Sequence, residues 1–117
     1  MRTWLMLLTA ACAPLIALPV GAHAFLDHAM PAVGSTVHVS PAQVKLWFSQ
    51  ELEPAFSTAQ VSDSTGKRID QGDARIDGTL LTVSVPPLAP GRYRVSWRVL
   101  SVDTHATAGD FSFDVAR

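Results

Sequence analysis

Cysteine is all but missing from this chain: of 117 residues only Cys12 is one, so no internal disulfide framework is possible. Charge is also scarce. Charged side chains make up 16% of the residues, the formal net charge is −1 and the pI is near 6.4. No basic field exists to hold a nucleic-acid backbone or an anionic lipid surface, and nucleic acid is excluded as the main ligand. Beyond residue 24 there is no heptad, no long repeat, no low-complexity tract and no window with the three-four apolar spacing of a helix. Disorder is excluded too, because 48% of the residues are hydrophobic. The length suits one globular domain.

The longest apolar stretch, Trp4 to Val20, is broken by Pro14 and Pro19 and falls short of the roughly 20 residues that span a bilayer. With Arg2 before it and Val20-Gly21-Ala22 after it, it has the layout of a secretory signal peptide. Residues 1–22 are expected to be removed and residues 23–117 to form the exported domain, with no membrane insertion after processing. Ala22-His23-Ala24 also permits cleavage after Ala24. Thr9-Ala10-Ala11-Cys12 faintly resembles a lipoprotein site, but the apolar run continues past Cys12. The exported domain then contains no cysteine and must be held by its core alone.

The remaining signal has a period of two. Strands are expected at Val44–Phe48, Ala59–Ser62, Leu80–Val85, Tyr93–Val99 and Phe111–Val115. In the fourth, Arg92, Arg94 and Arg98 alternate with Tyr93, Val95, Trp97 and Val99, so one face is wet and the other buried. Ser40-Pro41, Asp63-Ser64-Thr65-Gly66, Asp77-Gly78, Pro86-Pro87 and Ala89-Pro90-Gly91 supply turns, and Asp77-Gly78 suits a tight hairpin. This pattern predicts an all-β fold, an antiparallel β-sandwich with Greek-key or immunoglobulin-like connections. Trp47 and Trp97 are expected in its core.

The four histidines are His23, His28, His38 and His105. His38 has no metal-binding neighbour within three residues and reads as a surface residue. His105 belongs to Asp103-Thr104-His105, where extended backbone would turn carboxylate and imidazole to the same side. Cleavage after Ala22 would make His23 the N-terminus, whose α-amine and imidazole close a six-membered chelate ring on one metal. Together with Asp103 and His105 this gives three nitrogens and one oxygen, a set that suits tetragonal Cu(II) better than the thiophilic Cu(I).

Several stretches together resemble the CopC family of periplasmic copper-resistance proteins: His23-Ala24-Phe25-Leu26, Met30-Pro31-Ala32-Val33-Gly34, Val44-Lys45-Leu46-Trp47-Phe48-Ser49, and the run from Leu88 to Gly109 that contains Gly-x-Tyr-x-Val-x-Trp and Ser-x-Asp-x-His. The resemblance covers nearly all of residues 23–117. It implies a soluble periplasmic carrier with a cupredoxin-like β-barrel or sandwich, holding one Cu(II) per chain through His23, Asp103 and His105. The implied partners are the copper ion and a separate inner-membrane copper-transport protein. Some members add a methionine-rich Cu(I) loop, but Met30 is the only methionine past the leader. Where the family often has Phe-Ser-Glu near the metal, this chain reads Phe48-Ser49-Gln50-Glu51, and His28 replaces a small polar residue; His28 is expected on the surface.

Other classes remain to be weighed. A copper monooxygenase also uses an N-terminal histidine, but Asp103 would fill a coordination position that oxygen needs, and Tyr93 is the only tyrosine for a glycan-binding face. A serine hydrolase would need a Gly-x-Ser-x-Gly elbow, which is absent. A metal-free immunoglobulin-like interaction module is the alternative that metal titration distinguishes. The expected protein is therefore not an enzyme.

Overall fold

The structure is a computed structural model and describes residues 24–117. Residues 1–22, expected as a signal peptide, and His23 lie outside the described residues.

Eight strands form two four-stranded sheets. The first has the order β1 (Leu26–Met30), β3 (Gln43–Phe48), β6 (Leu80–Ser84), β5 (Gln71–Asp77). The second has the order β2 (Thr36–Val37), β8 (Ala106–Val115), β7 (Gly91–Leu100), β4 (Thr58–Ser62). All neighbouring pairs are antiparallel except the two-residue pairing of β2 with β8. A short 3-10 turn, Pro54–Phe56, leads into β4.

The alternation read from the sequence accounts for the core. Val44, Leu46 and Phe48 from β3 and Leu81 and Val83 from β6 point inward from one sheet. They meet Val61, Tyr93, Val95, Val99, Phe111, Phe113 and Val115 from the other. The expected all-β sandwich is what forms. Tyr93, buried at the start of β7, donates its hydroxyl to the Ala89 carbonyl at 2.6 Å and so ties the strand to the proline-rich turn before it. Gly78 takes a φ of 64° in the turn between β5 and β6, as the Asp77-Gly78 hairpin reading requires.

One expectation fails. Trp97 is half-buried against the core, but Trp47 lies on the outer face of the first sheet, in phase with Lys45. Its indole is covered instead by His28, which is directly opposite on β1 and stacks on it with ring centroids 4.4 Å apart. The period of the strand outweighs the tendency of an aromatic ring to be buried.

Candidate metal centre

The long β7–β8 hairpin carries Asp103 and His105 in the loop that closes it. Ser101 N–H donates to the His105 carbonyl at 3.0 Å and Thr104 N–H to the Ser101 carbonyl at 2.8 Å, so residues 101–105 form a tight turn. Thr104 adopts a φ of 71°, a left-handed conformation that costs a β-branched residue about 1–2 kcal/mol. This differs from the extended Asp-x-His geometry expected from the sequence. The two side chains meet because the chain bends between them, with Asp103 Oδ1 3.4 Å from His105 Nδ1. The pair is about half exposed to solvent, so an ion can reach it.

Neighbouring segments brace the turn. Leu52 bridges to Ser101, Val102 N–H donates to the Glu51 carbonyl at 3.0 Å, and Glu53 N–H donates to the Leu100 carbonyl at 2.8 Å. Glu51 thus supports the loop through its main chain while its side chain is exposed. Beneath the turn, Ser101 is fully buried, and its hydroxyl hydrogen-bonds the Asp103 carboxylate. That bond first, and the His105 ring second, hold the Asp103 carboxyl below its ordinary value, which keeps it a ready anionic donor.

The start of the described chain arrives at the same end. Ala24 is completely buried, and its carbonyl accepts the Thr107 hydroxyl at 2.7 Å, two residues beyond His105. Phe25 and Ser49 exchange two hydrogen bonds, N–H to Oγ and N–H to carbonyl, each 2.9 Å. The residue that follows His23 is thereby fixed beside the Asp103–His105 turn.

Among the described residues no three His, Cys, Asp or Glu side chains cluster as a metal site. Asp103 and His105 are brought together, whereas the other two described histidines go elsewhere. His38 is exposed, with Nδ1 3.3 Å from the Arg117 carbonyl. His28 is exposed as expected, but its hydrogen bond to Asp27 at 2.9 Å and its stack on Trp47 were not foreseen. Cross-strand pairing of position 28 with Trp47 is the signal that would have shown the stack.

With bonds of about 2 Å to imidazole or carboxylate, neighbouring donors on one ion stand about 2.8 Å apart and opposite donors about 4 Å. The 3.4 Å between Nδ1 and Oδ1 falls between these, so one ion can engage both. Neutral imidazole and carboxylate are borderline-to-hard donors that suit a divalent first-row ion.

Fold and site together define a small β-sandwich protein with an imidazole–carboxylate pair on an end loop. The particular family follows from comparison: the CopC domain model matches residues 26–116, and the chain belongs to the CopC family. It is 35% identical over 105 residues to protein YobA of Escherichia coli K12, covering 86% of this chain and 85% of that protein. It is 33% identical over 103 residues to copper resistance protein C of Xanthomonas campestris pv. juglandis, covering 80% of each. The crystal structure of CopC from Methylosinus trichosporium OB3b matches with a TM-score of 0.75 at 41% identity, covering 80% of this chain and 93% of that one.

Proposed function

We propose that the protein is an exported, periplasmic copper carrier that binds one Cu(II) through Asp103 and His105 of the β7–β8 turn and through the α-amine and imidazole of His23 after cleavage of residues 1–22. The observation that carries this reading is the convergence at one end of the sandwich. Asp103 Oδ1 and His105 Nδ1 lie 3.4 Å apart, and the Thr107 hydroxyl holds the Ala24 carbonyl close by. Only a free terminal amine completes the chelate, so the cleavage site is part of the metal site. Membership of the CopC family supports copper as the cargo. The proposed recipient of the copper is a separate inner-membrane copper-transport protein.

The role is binding rather than catalysis, because Asp103 adds a fourth donor to the two from His23 and the one from His105 and leaves no equatorial position for oxygen. Competition with a chelator of known affinity tests the reading. The 23–117 protein should bind Cu(II) far more tightly than a version that retains Ala22 or one carrying His105→Ala, while His38→Ala binds as the unaltered protein does. Equal affinities across all four would refute it.

A further inference from the structure

The inward-facing positions of β7 are Tyr93, Val95, Trp97 and Val99, and the next residue in that phase is Ser101. It has no exposed surface, and the ring of core residues around that phase is apolar. A hydroxyl placed there loses its water and must recover the cost through hydrogen bonds. Alanine or valine would fill such a position without that demand.

The partners of this hydroxyl are both proposed ligands. Ser101 Oγ lies 3.3 Å from the His105 backbone N–H, which donates to it, and it donates in turn to Asp103 Oδ1. A third contact, of 3.2 Å, runs to the His105 carbonyl. A hydroxyl has one proton, and the anionic carboxylate is a stronger acceptor for it than the carbonyl. The result is a relay from His105 N–H through the Ser101 hydroxyl to the Asp103 carboxylate, spanning a turn whose central residue, Thr104, is held in a left-handed conformation. Ser57, the other buried serine, bonds Leu100 on both its N–H and its carbonyl and touches neither ligand.

We infer that Ser101 is a positioning residue of the metal site: its buried hydroxyl locks the Asp103 carboxylate and the His105 main chain in their binding arrangement before the ion arrives. This rests on the copper reading above. Outer groups that orient metal ligands change affinity by about 10–100-fold when removed. Ser101→Ala removes the hydroxyl and keeps the rest of the side chain, whereas Ser57→Ala removes a buried hydroxyl that bonds neither ligand.

The test compares unaltered, Ser101→Ala and Ser57→Ala forms of the 23–117 protein. Each is measured by thermal melting, by chelator-competed Cu(II) affinity, by electron paramagnetic resonance of the Cu(II) form, and by hydrogen exchange of the His105 backbone amide in the metal-free form. Ser101→Ala should weaken Cu(II) binding about 10–100-fold and alter the resonance spectrum, and the His105 amide, no longer bonded to the hydroxyl, should exchange faster than in the unaltered protein. Ser57→Ala should lower the melting temperature and leave affinity and spectrum unchanged. An unaltered affinity and spectrum in Ser101→Ala, or losses equal to those of Ser57→Ala, would overturn the inference. The exchange measurement separates the two proposals: a His105 amide that exchanges equally fast in the unaltered and Ser101→Ala metal-free proteins refutes the role of Ser101 without reference to copper. A Cu(II) signal that does not depend on His105 refutes the copper reading itself.

Discussion

Gly109 sits on β8 directly opposite Trp97 of β7, and a methyl group there has nowhere to go. An alanine Cβ would stand 2.6 Å from Trp97 Cζ2, 3.0 Å from Cε2 and 3.3 Å from Cη2. Carbon atoms prefer about 3.5–4.0 Å, so the overlap with the nearest ring atom is close to an ångström. The ring is not a loose side-chain end. It is half-buried against the core and meets the edge of Phe48 with centroids 5.0 Å apart, so relief requires the indole and its neighbour to move together. Overpacking of this kind costs about 1–3 kcal/mol, against which alanine regains a few tenths to about 1 kcal/mol of glycine's backbone entropy. The net cost of Gly109→Ala should be about 1–2 kcal/mol, which for a domain of this size lowers the melting temperature by about 4–16 °C. Scanning calorimetry of the metal-free 23–117 protein measures it. A double-mutant cycle with Trp97→Phe, which lacks the benzo ring that clashes, should show Gly109→Ala becoming nearly neutral. Additive losses in the cycle, or a stabilised single variant, would refute the steric argument.

Three further outcomes follow from local structure. The Asp70 carboxylate, whose side chain is 1% exposed, accepts the Val61 N–H at 2.8 Å and a bidentate Arg68 guanidinium; Asp70→Ala should cost about 1–3 kcal/mol in urea unfolding, and a change below a few tenths would contradict this. Thr104→Gly removes the left-handed penalty at φ 71° and adds backbone entropy to the unfolded chain, so the metal-free domain should be unchanged or up to about 1 kcal/mol more stable. A clear loss of melting temperature would show that the threonine contributes more than its conformation costs. Asp63, Asp103 and Asp114 all have carboxyls held below their ordinary value of 3.8, chiefly by Thr65, Ser101 and Arg92 respectively. In the acid range the unfolded chain binds more protons at these sites, so stability is full above that value and declines as pH falls through and below it; Asp114→Asn should flatten that decline in acid unfolding curves, and an identical slope would refute the assignment.

How far the sequence spoke depended on burial. The strands that alternate cleanly, β3, β4, β6 and β7, were legible to within two residues at each end, and so was the buried half of β8, Phe111–Val115, because each has one face in the core; the more exposed first half of β8, from Ala106, was missed. The edge strand β5, Gln71–Asp77, was not: charged and glycine residues face solvent, only Ala74 and Ile76 pack against the core, and its register slips between Gln71 and Arg75. β1 and the two-residue β2 carry too little periodicity to stand out. In the site, Asp103 and His105 were recognisable by type and spacing, but the left-handed Thr104 that brings them together leaves no compositional trace, since threonine rarely adopts it. Ser101 did leave a trace, a polar residue in the inward phase of β7. Trp47 shows two sequence rules in conflict, and the strand period prevailed.

In the proposed function, cleavage and metal binding create one site. The most direct test is the intact mass of the protein recovered from its native compartment, recorded under non-denaturing conditions with and without added copper. The expected chain begins at His23 and gains the mass of one copper ion, with the gain lost on His105→Ala. A chain that begins at Phe25, or one that begins at His23 and takes up no copper, would contradict it.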